Sequence, residues 1–326
     1  MVLLIQYTLI FAAVLLLVAL GGCFSEHSGV INIGLEGIMV MGALGGALVM
    51  RFLPYNPDTA SFLTNFGVFA CVALASAAAG MIYSLLLAVA CINFKADQTI
   101  VGTAMNLLGT ATATVIVKSM NTAMNPDDHS SEISYIKPKQ AFLSNFGGKF
   151  ELNWFVVLAV ILLVVSTILL YKTRFGLRLR ACGEHPQAAD SVGINVYKMR
   201  YAGVLISGLL GGLGGITYIT AGVSLWKFEN GVAGFGFLAL AVMIFGAWHP
   251  VRIAGAAVLF GFFRALGNVH KGLFFIDWIE KLLNVEIPPA IYNMLPYIVS
   301  LIVLAFTSKN SKAPKAEGIP YDKGQR

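Results

Sequence analysis

Two polar side chains interrupt an apolar stretch near the start of the chain, in the segment Ser28–Gly37 (SGVINIGLEG). Asn32 and Glu36 are four residues apart, so both would lie on one face of a helix. A carboxylate inside an apolar span indicates a functional group by default, because it is costly to keep there. The alternative is that Glu36 lies at the inner interface or pairs with another span, for instance with Arg264, and only fixes structure. Both interpretations stay open at this point.

A second group of polar side chains has helical spacing between residues 98 and 118. Thr99, Thr103, Asn106 and Thr110 form one stripe along the same face. In lipid such a stripe must face a partner helix or a wet cavity, because a bare amide in hydrocarbon costs several kcal/mol. Threonine can hydrogen-bond back to its own helix, so Asn106 is the more informative residue. It either lines a pathway or bonds to a neighbouring helix.

The sequence has no motif of an active site around these residues. It lacks the GxxxxGK[ST] phosphate loop, the HExxH zinc motif and the GxSxG nucleophile motif, and its five histidines are scattered. The four cysteines form no CxxC pair and have no histidine at ligand spacing, which argues against a disulfide or a metal site. We therefore predict no catalytic residue, no metal and no cofactor, so any energy must come from another chain.

The composition predicts an all-α polytopic membrane protein. Hydrophobic residues make up 57% of the chain and charged residues 12%, against about 25% charged in soluble domains. The net charge of +6 does not indicate nucleic-acid binding, because the basic residues cluster in loops beside apolar spans. Apolar side chains at helical spacing in 272–289 predict an amphipathic interfacial helix. Since a span needs about 20 mostly apolar residues, the sequence predicts nine, at roughly 3–23, 31–52, 66–92, 98–118, 153–171, 201–221, 235–248, 253–272 and 291–307.

The distribution of lysine and arginine predicts the orientation, because short loops rich in these residues stay in the cytoplasm. The loop 172–200 carries six of them against two acids. With this loop inside, the N-terminus lies outside and the C-terminus in the cytoplasm. The tail 309–326 is lysine-rich and contains Pro314 and Pro320, so we expect a disordered cytoplasmic extension of the membrane domain 1–308.

Glycine is dense within several predicted spans, where small residues let helices pack closely. Such clusters also permit broken helices, and two broken segments in the two halves of a membrane protein indicate a pathway. The candidate breaks are 28–36 and 226–236. The second break adds three polar or aromatic side chains to the predicted pathway, which then consists of Asn32, Glu36, Asn106, Trp226, Phe228 and Asn230.

The basic loop 172–200 contains the signals of a short helix. Glu184, His185 and Pro186 indicate a helix start with proline in the first turn, and Gly193 indicates a stop that permits a left-handed cap. Ala188 and Ala189 present almost no side chain, so another protein could approach this helix closely. The loop is therefore predicted to be a docking surface rather than a catalytic one.

Three segments in this order, 28–44, 183–197 and 231–251, resemble the inner-membrane permeases of bacterial ABC importers for ribose, branched-chain amino acids and nucleosides. The most specific motif is G-x-x-P-x-A-A-x-x-x-G-I-x-V. By this resemblance, the residues that match it would form the coupling segment that docks on the ATPase. They are Gly183, Pro186, Ala188, Ala189, Gly193, Ile194 and Val196, with Glu184 among them. The form N-I-G-x-E-G at 32–37 is most similar to the nucleoside permeases. Relatives often carry a polar or basic residue where this chain has Phe235.

The resemblance implies a subunit of the bacterial plasma membrane that moves nucleosides inward by alternating access. It further implies three partners: a cytosolic ABC ATPase, a second and different permease, and an extracytoplasmic substrate-binding lipoprotein. Aromatic residues of the pathway would then stack on a base and amides would hydrogen-bond it. The alternatives are an ABC permease for a simple sugar or branched-chain amino acid, and an ion-driven secondary transporter.

Overall fold

The computed structural model describes residues 2–56, 60–134, 140–146, 150–221, 225–269, 288–307 and 313–324. Eleven helices form within these ranges: α1 Val2–His27, α2 Leu35–Phe52, α3 Phe62–Ala88, α4 Gln98–Met124, α5 Trp154–Lys172, α6 Arg174–Glu184, α7 Pro186–Ser191, α8 Val196–Thr220, α9 Phe235–Phe245, α10 Pro250–Val269 and α11 Pro289–Thr307. A π-helical turn, Val89–Asn93, extends α3. All but the last two residues of the interfacial helix predicted in 272–289 fall within residues 270–287, which lie outside the described part.

Eight helical segments of the described part are long and apolar enough to cross a membrane. They coincide with the first eight predicted spans, and α11 lies where the ninth was predicted. The all-α polytopic class is therefore confirmed. Side-chain oxygens cap several helix starts, because the first amides of a helix have no partner within it. Asp97 accepts from the amides of Thr99 and Ile100, both at 2.9 Å, and Asn153 caps α5 in the same way.

Helix α1 lies in the middle of the bundle and is buried without interruption from Ile10 to Glu26. It packs against α8 and α10. At its start, Gln6 Nε2 donates to the Glu151 carbonyl in the strand Phe150–Asn153, at 2.8 Å. At its end, His27 contacts α6. We call the end of the bundle that carries α6 and α7 the inner end, after the predicted topology.

Glycines join α2, α3 and α8 at one point in the interior of the bundle. A Cβ on Gly80 would lie 2.3 Å from the Gly208 carbonyl oxygen, and a Cβ on Gly42 would lie 2.2 Å from the Gly212 Cα. Ser76 Oγ donates to the carbonyls of Gly42 and Gly212, at 2.6 and 2.8 Å. The three backbones therefore touch without intervening side chains, which confirms the predicted role of glycine in close packing.

Two small antiparallel sheets lie at the outer end, formed by β1 Glu132–Ser134, β2 Leu143–Phe146, β3 Phe150–Asn153 and β4 Leu225–Lys227. Strands β2 and β3 form a hairpin, whereas β1 pairs with the distant β4, with Ile133 opposite Trp226. An ion pair of 2.8 Å between Lys227 and Glu132 joins the same strands. This sheet fixes the start of the segment that leads into α9.

The described part of the tail, residues 313–324, packs against the inner end of the bundle, where its composition predicted disorder. Tyr321 is buried with Cys182, Ala189 and Val196, and the Ala316 amide donates to the Gly183 carbonyl at 2.8 Å. The physical reason is that the apolar residues of this segment find partners on α6, α7 and α8, which lie far away in sequence.

Candidate functional site at two broken helices

The first predicted break is present, because residues 28–34 between α1 and α2 are not helical. Asn32 lies within this break, buried, and its Nδ2 donates to Ser207 Oγ on α8 at 2.8 Å. Since α2 begins only at Leu35, Asn32 and Glu36 do not share a helix face. That expectation was wrong because Gly29, with φ of 91°, directs the chain out of helical geometry two residues after α1 ends.

Asn106 of α4 holds the far side of this break. Its Oδ1 accepts from the Gly37 amide at 2.8 Å and its Nδ2 donates to the Ile33 carbonyl at 3.0 Å. Gly37 lies so close to α4 that a Cβ would be 2.5 Å from the Met105 carbonyl oxygen. Asn106 therefore satisfies backbone groups that the break leaves without helical partners. Thr103 and Thr110 bond back to carbonyls of α4 itself, as expected for threonine.

The second predicted break lies between β4 and α9. Gly231, Ala233 and Gly234 have φ values of 56°, 53° and 77°, so the chain turns sharply before α9 begins at Phe235. Helix α9 has 11 residues, or roughly 16 Å at 1.5 Å per residue. By itself it is too short to cross the hydrocarbon layer of about 30 Å, and it reaches the length of a span only together with the turns that precede it, as Phe228–Phe245.

Glu36 joins the two breaks. Its carboxylate accepts from the Gly234 amide at 2.8 Å and from the Gly236 amide at 2.6 Å. The first amides of a helix have no intrahelical partner and carry partial positive charge, so a carboxylate there acts as a cap. A Cβ on Gly236 would lie 2.5 Å from the Glu36 nitrogen, which explains why glycine occupies this position. The partners of Glu36 are thus backbone amides. Arg264, the alternative partner considered from the sequence, lies over the Phe235 ring, with its Cζ 5.2 Å from the ring centroid.

The remaining pathway residues lie outward from this junction. Trp226 is buried in β4 and contacts Tyr218 edge to face at 5.2 Å. Phe228 is fully buried, and its amide donates to the Ser131 carbonyl at 3.2 Å. Asn230 is exposed at the beginning of the second break. The structure therefore places Asn32, Glu36 and Asn106 around the first break. Trp226, Phe228 and Asn230 lie in β4 or in the turn that follows it. The pathway role of these residues stays a prediction.

Sequence reasoning missed a second attachment of α9, at its inner end. The turn after α9 contains Ala247 and Trp248 with φ values of 50° and 56°. The Trp248 carbonyl lies 3.2 Å from Cys23 Sγ and 3.1 Å from His27 Nε2, while its indole Nε1 donates to Glu26 Oε2 at 2.5 Å. Glu26 and His27, the polar residues at the end of the first apolar run, were the available signal in the sequence for this attachment. Helix α9 is therefore attached to the α1–α2 segment at both ends.

The predicted docking helix is present as α7, with Pro186 in its first turn and Gly193 in the left-handed region at φ of 85°. Of the predicted docking residues, Glu184, Ala188 and Gly193 are exposed. Gly183, Pro186 and Ala189 are buried and face this chain itself. Gly183 packs on the end of α1, since a Cβ there would lie 2.4 Å from the His27 carbonyl oxygen. Only part of the predicted docking segment is thus exposed, and its docking role stays a prediction.

Comparison with known proteins agrees with this architecture. The sequence pattern of the family described as branched-chain amino acid transport system / permease component matches residues 4–304. The chain is 41% identical to the guanosine ABC transporter permease protein NupQ of Bacillus subtilis, over 98% of this chain and 96% of that one. It is 37% identical to the nucleoside ABC transporter permease protein NupC of Lactococcus lactis, over 97% and 96%. The chain therefore belongs to this family of permease components and is a multi-pass membrane permease.

Proposed function

We propose that this chain is the permease subunit of an ATP-driven importer of nucleosides. The relatives at 41% and 37% identity are named for guanosine and nucleosides and match nearly end to end. The observation that carries the mechanism is the attachment of α9 at both ends to the α1–α2 segment. A short helix held in this way between two breaks is suited to move as a unit and expose backbone groups to a solute.

The mechanism uses a continuous set of contacts from the inner surface to α9. An ATPase docks on the exposed face of α6 and α7, around Ala188. Movement of these helices reaches the end of α1 through the contact of Gly183 with the His27 backbone. From there it reaches both ends of α9, through Trp248 at the inner end and through Glu36 at the outer end. ATP binding in the partner thereby shifts α9 and alternates access to the pathway.

We further propose that the chain pairs with a different permease. In Bacillus subtilis the guanosine permeases NupQ and NupP are 41% and 24% identical to this chain. In Lactococcus lactis the nucleoside permeases NupC and NupB are 37% and 25% identical to it. Both organisms thus have one similar and one more distant relative with the same kind of name. The extracytoplasmic lipoprotein and the cytosolic ATPase complete the proposed assembly.

Uptake measurements test the substrate. A strain that lacks this gene should lose uptake of radiolabelled guanosine or another purine nucleoside and regain it from a plasmid copy. A simple sugar is the second candidate, since a putative glucose ABC transporter permease of Haloferax volcanii is 31% identical over 90% of this chain. Unchanged nucleoside uptake together with lost glucose or ribose uptake would replace the nucleoside proposal with the sugar. Uptake that survives ATP depletion would favour an ion-driven transporter.

Two neighbouring alanines test the docking surface. Ala188 is exposed, so Ala188→Leu should leave the amount and thermal stability of the protein unchanged. It should reduce uptake about tenfold or more, which corresponds to a loss of about 1.4 kcal/mol in the free energy of ATPase docking. Ala189 is 4% exposed, so Ala189→Leu should overpack its site against Tyr321 and cost about 1–3 kcal/mol of stability. Thermal melting in detergent and uptake in cells separate the two effects. Full uptake with normal ATPase coupling in Ala188→Leu would remove α7 from the mechanism.

A further inference from the structure

The segment 313–324, which we call the strap, contacts two parts of the molecule that the proposed mechanism must connect. On one side its Ala316 amide donates to the Gly183 carbonyl at the end of α6, at 2.8 Å. On the other side Gly318 lies against the first break, where a Cβ would be 2.9 Å from Ile31 Cδ1. Ala316 and Gly318 are two positions apart in the chain, so their Cα atoms lie no more than about 8 Å apart.

The strap has a stiff local structure. Pro314 and Pro320 enclose its central turn and restrict the backbone on both sides. Within the turn the Glu317 amide donates to the Pro314 carbonyl at 3.1 Å and the Ile319 amide to the Ala316 carbonyl at 3.3 Å. A displacement of α6 would therefore be passed to the break rather than absorbed in the turn.

Side chains hold the strap at further points around the inner end. Tyr321 is buried, and its ring contacts that of Tyr197 edge to face at 5.4 Å. Asp322 forms an ion pair of 2.8 Å with Lys95 in the loop before α4. Lys323 lies 4.0 Å from Asp190 of α7. The strap thus touches both docking helices, the start of α8 and the α3–α4 loop.

A carboxyl pair attaches the strap to α1. The Glu317 carboxyl lies beside that of Glu26, the residue that also accepts from Trp248. Burial raises the pKa of the Glu317 carboxyl to about 7. Two carboxyls can lie this close because burial favours the neutral form of each, which removes the repulsion between two carboxylates. The strap therefore contacts the residue that holds the inner end of α9.

We infer that the strap is a positioning element that keeps the ATPase-docking helices attached to the first break, so that movement of α6 and α7 reaches the transport pathway. The inference rests on the proposed docking of an ATPase at α7. A loose tail would remove this direct connection between Gly183 and Ile31. Ion pairs as exposed as Lys95–Asp322 contribute little, so the buried Tyr321 is the main attachment.

Tyr321→Ala tests the inference in the complete transporter, with Ile319→Ala as the matched control because Ile319 lies in the same segment and is 55% exposed. In proteoliposomes with the ATPase and the binding protein, Tyr321→Ala should keep ATP hydrolysis. Guanosine transported per ATP hydrolysed should fall by about fivefold or more, the lower end of typical coupling between two sites. Ile319→Ala should behave as wild type. A chain that ends at residue 312 should reproduce the Tyr321→Ala result.

The outcomes separate the strap from the proposed function. Unchanged transport per ATP in both the Tyr321→Ala and the truncated protein would overturn the inference, and increased transport would show an inhibitory lid instead. Loss of ATPase binding in these two proteins would also overturn it, because the strap would then be part of the docking surface. If wild type and Ile319→Ala both fail to transport guanosine, the failure belongs to the proposed substrate. Transport per ATP can then be measured with ribose.

Discussion

Replacing Gly80 by valine is expected to prevent accumulation of the folded permease in the membrane. The Cβ alone would lie 2.3 Å from the Gly208 carbonyl oxygen and 2.7 Å from the Gly212 Cα. Adding methylenes to a packed core costs about 1–3 kcal/mol even where side chains can adjust. Here the neighbouring atoms belong to the backbone of α8, so relief requires moving a whole helix. We expect the cost to reach or exceed the upper end of that range.

Gly67 of the same helix provides the control, because a Cβ built there would have no atom within 4 Å from the rest of the described residues, the adjacent helix backbone apart. Gly67→Val should accumulate and melt like wild type, although both substitutions place valine in α3. Fluorescence-detected size-exclusion chromatography of tagged protein, followed by a thermal melt in detergent, compares the two. Normal accumulation and melting of Gly80→Val would show that α3 and α8 are not in close contact.

Glu36→Gln is expected to give a folded protein with little transport. Glutamine offers one acceptor oxygen and a donating amide, so it cannot accept from both Gly234 and Gly236. Hydrogen bonds to a charged group are worth about 1.5–3 kcal/mol each, and every 1.4 kcal/mol corresponds to a factor of ten. Loss of one bond should therefore reduce uptake about tenfold or more, because α9 would no longer follow α2. Most of the fold does not depend on this contact.

Glu229→Gln is the matched control for charge and chemistry. Glu229 lies at the outer end in an exposed ion pair with Lys118, and such pairs contribute about 0–1 kcal/mol. This variant should keep nearly full uptake. Glu36→Asp retains the charge but shortens the side chain by one methylene, so it should be impaired as well. Full activity of Glu36→Gln would mean that the carboxylate only stabilises the fold and that the two breaks move independently.

Apolar length and glycine content predicted the membrane-spanning helices and both breaks, since these features depend on local sequence. The break before Leu35 and the break before Phe235 follow from glycines that permit left-handed backbone. The signals for α7 were also local, with Pro186 at its start and Gly193 after its end. In these places the nearest residues along the chain decide the structure.

Partners distant in sequence could not be predicted in this way. The acceptor role of Glu36 depends on backbone amides about 200 residues away, and backbone groups leave no mark in the pattern of side chains. Trp248 has left-handed backbone geometry without being glycine, so composition gave no warning of the turn after α9. The tail composition predicted disorder because burial of Tyr321 depends on α6, α7 and α8 being assembled first.

The buried position of α1 has a consequence for the order of assembly during synthesis. This helix is made before α8 and α10, which bury it and are complete only at residues 220 and 269. At about 5–20 residues per second, the ribosome needs roughly 10–50 s to travel from the end of α1 to the end of α10. Throughout that time the nascent α1 must remain in lipid or beside the translocon. Until Trp248 has been made, the Glu26 carboxyl lacks the indole donor that it has in the folded protein. Helices made later therefore enclose one made earlier, and this part of the fold closes only after α10 has been made instead of growing in chain order.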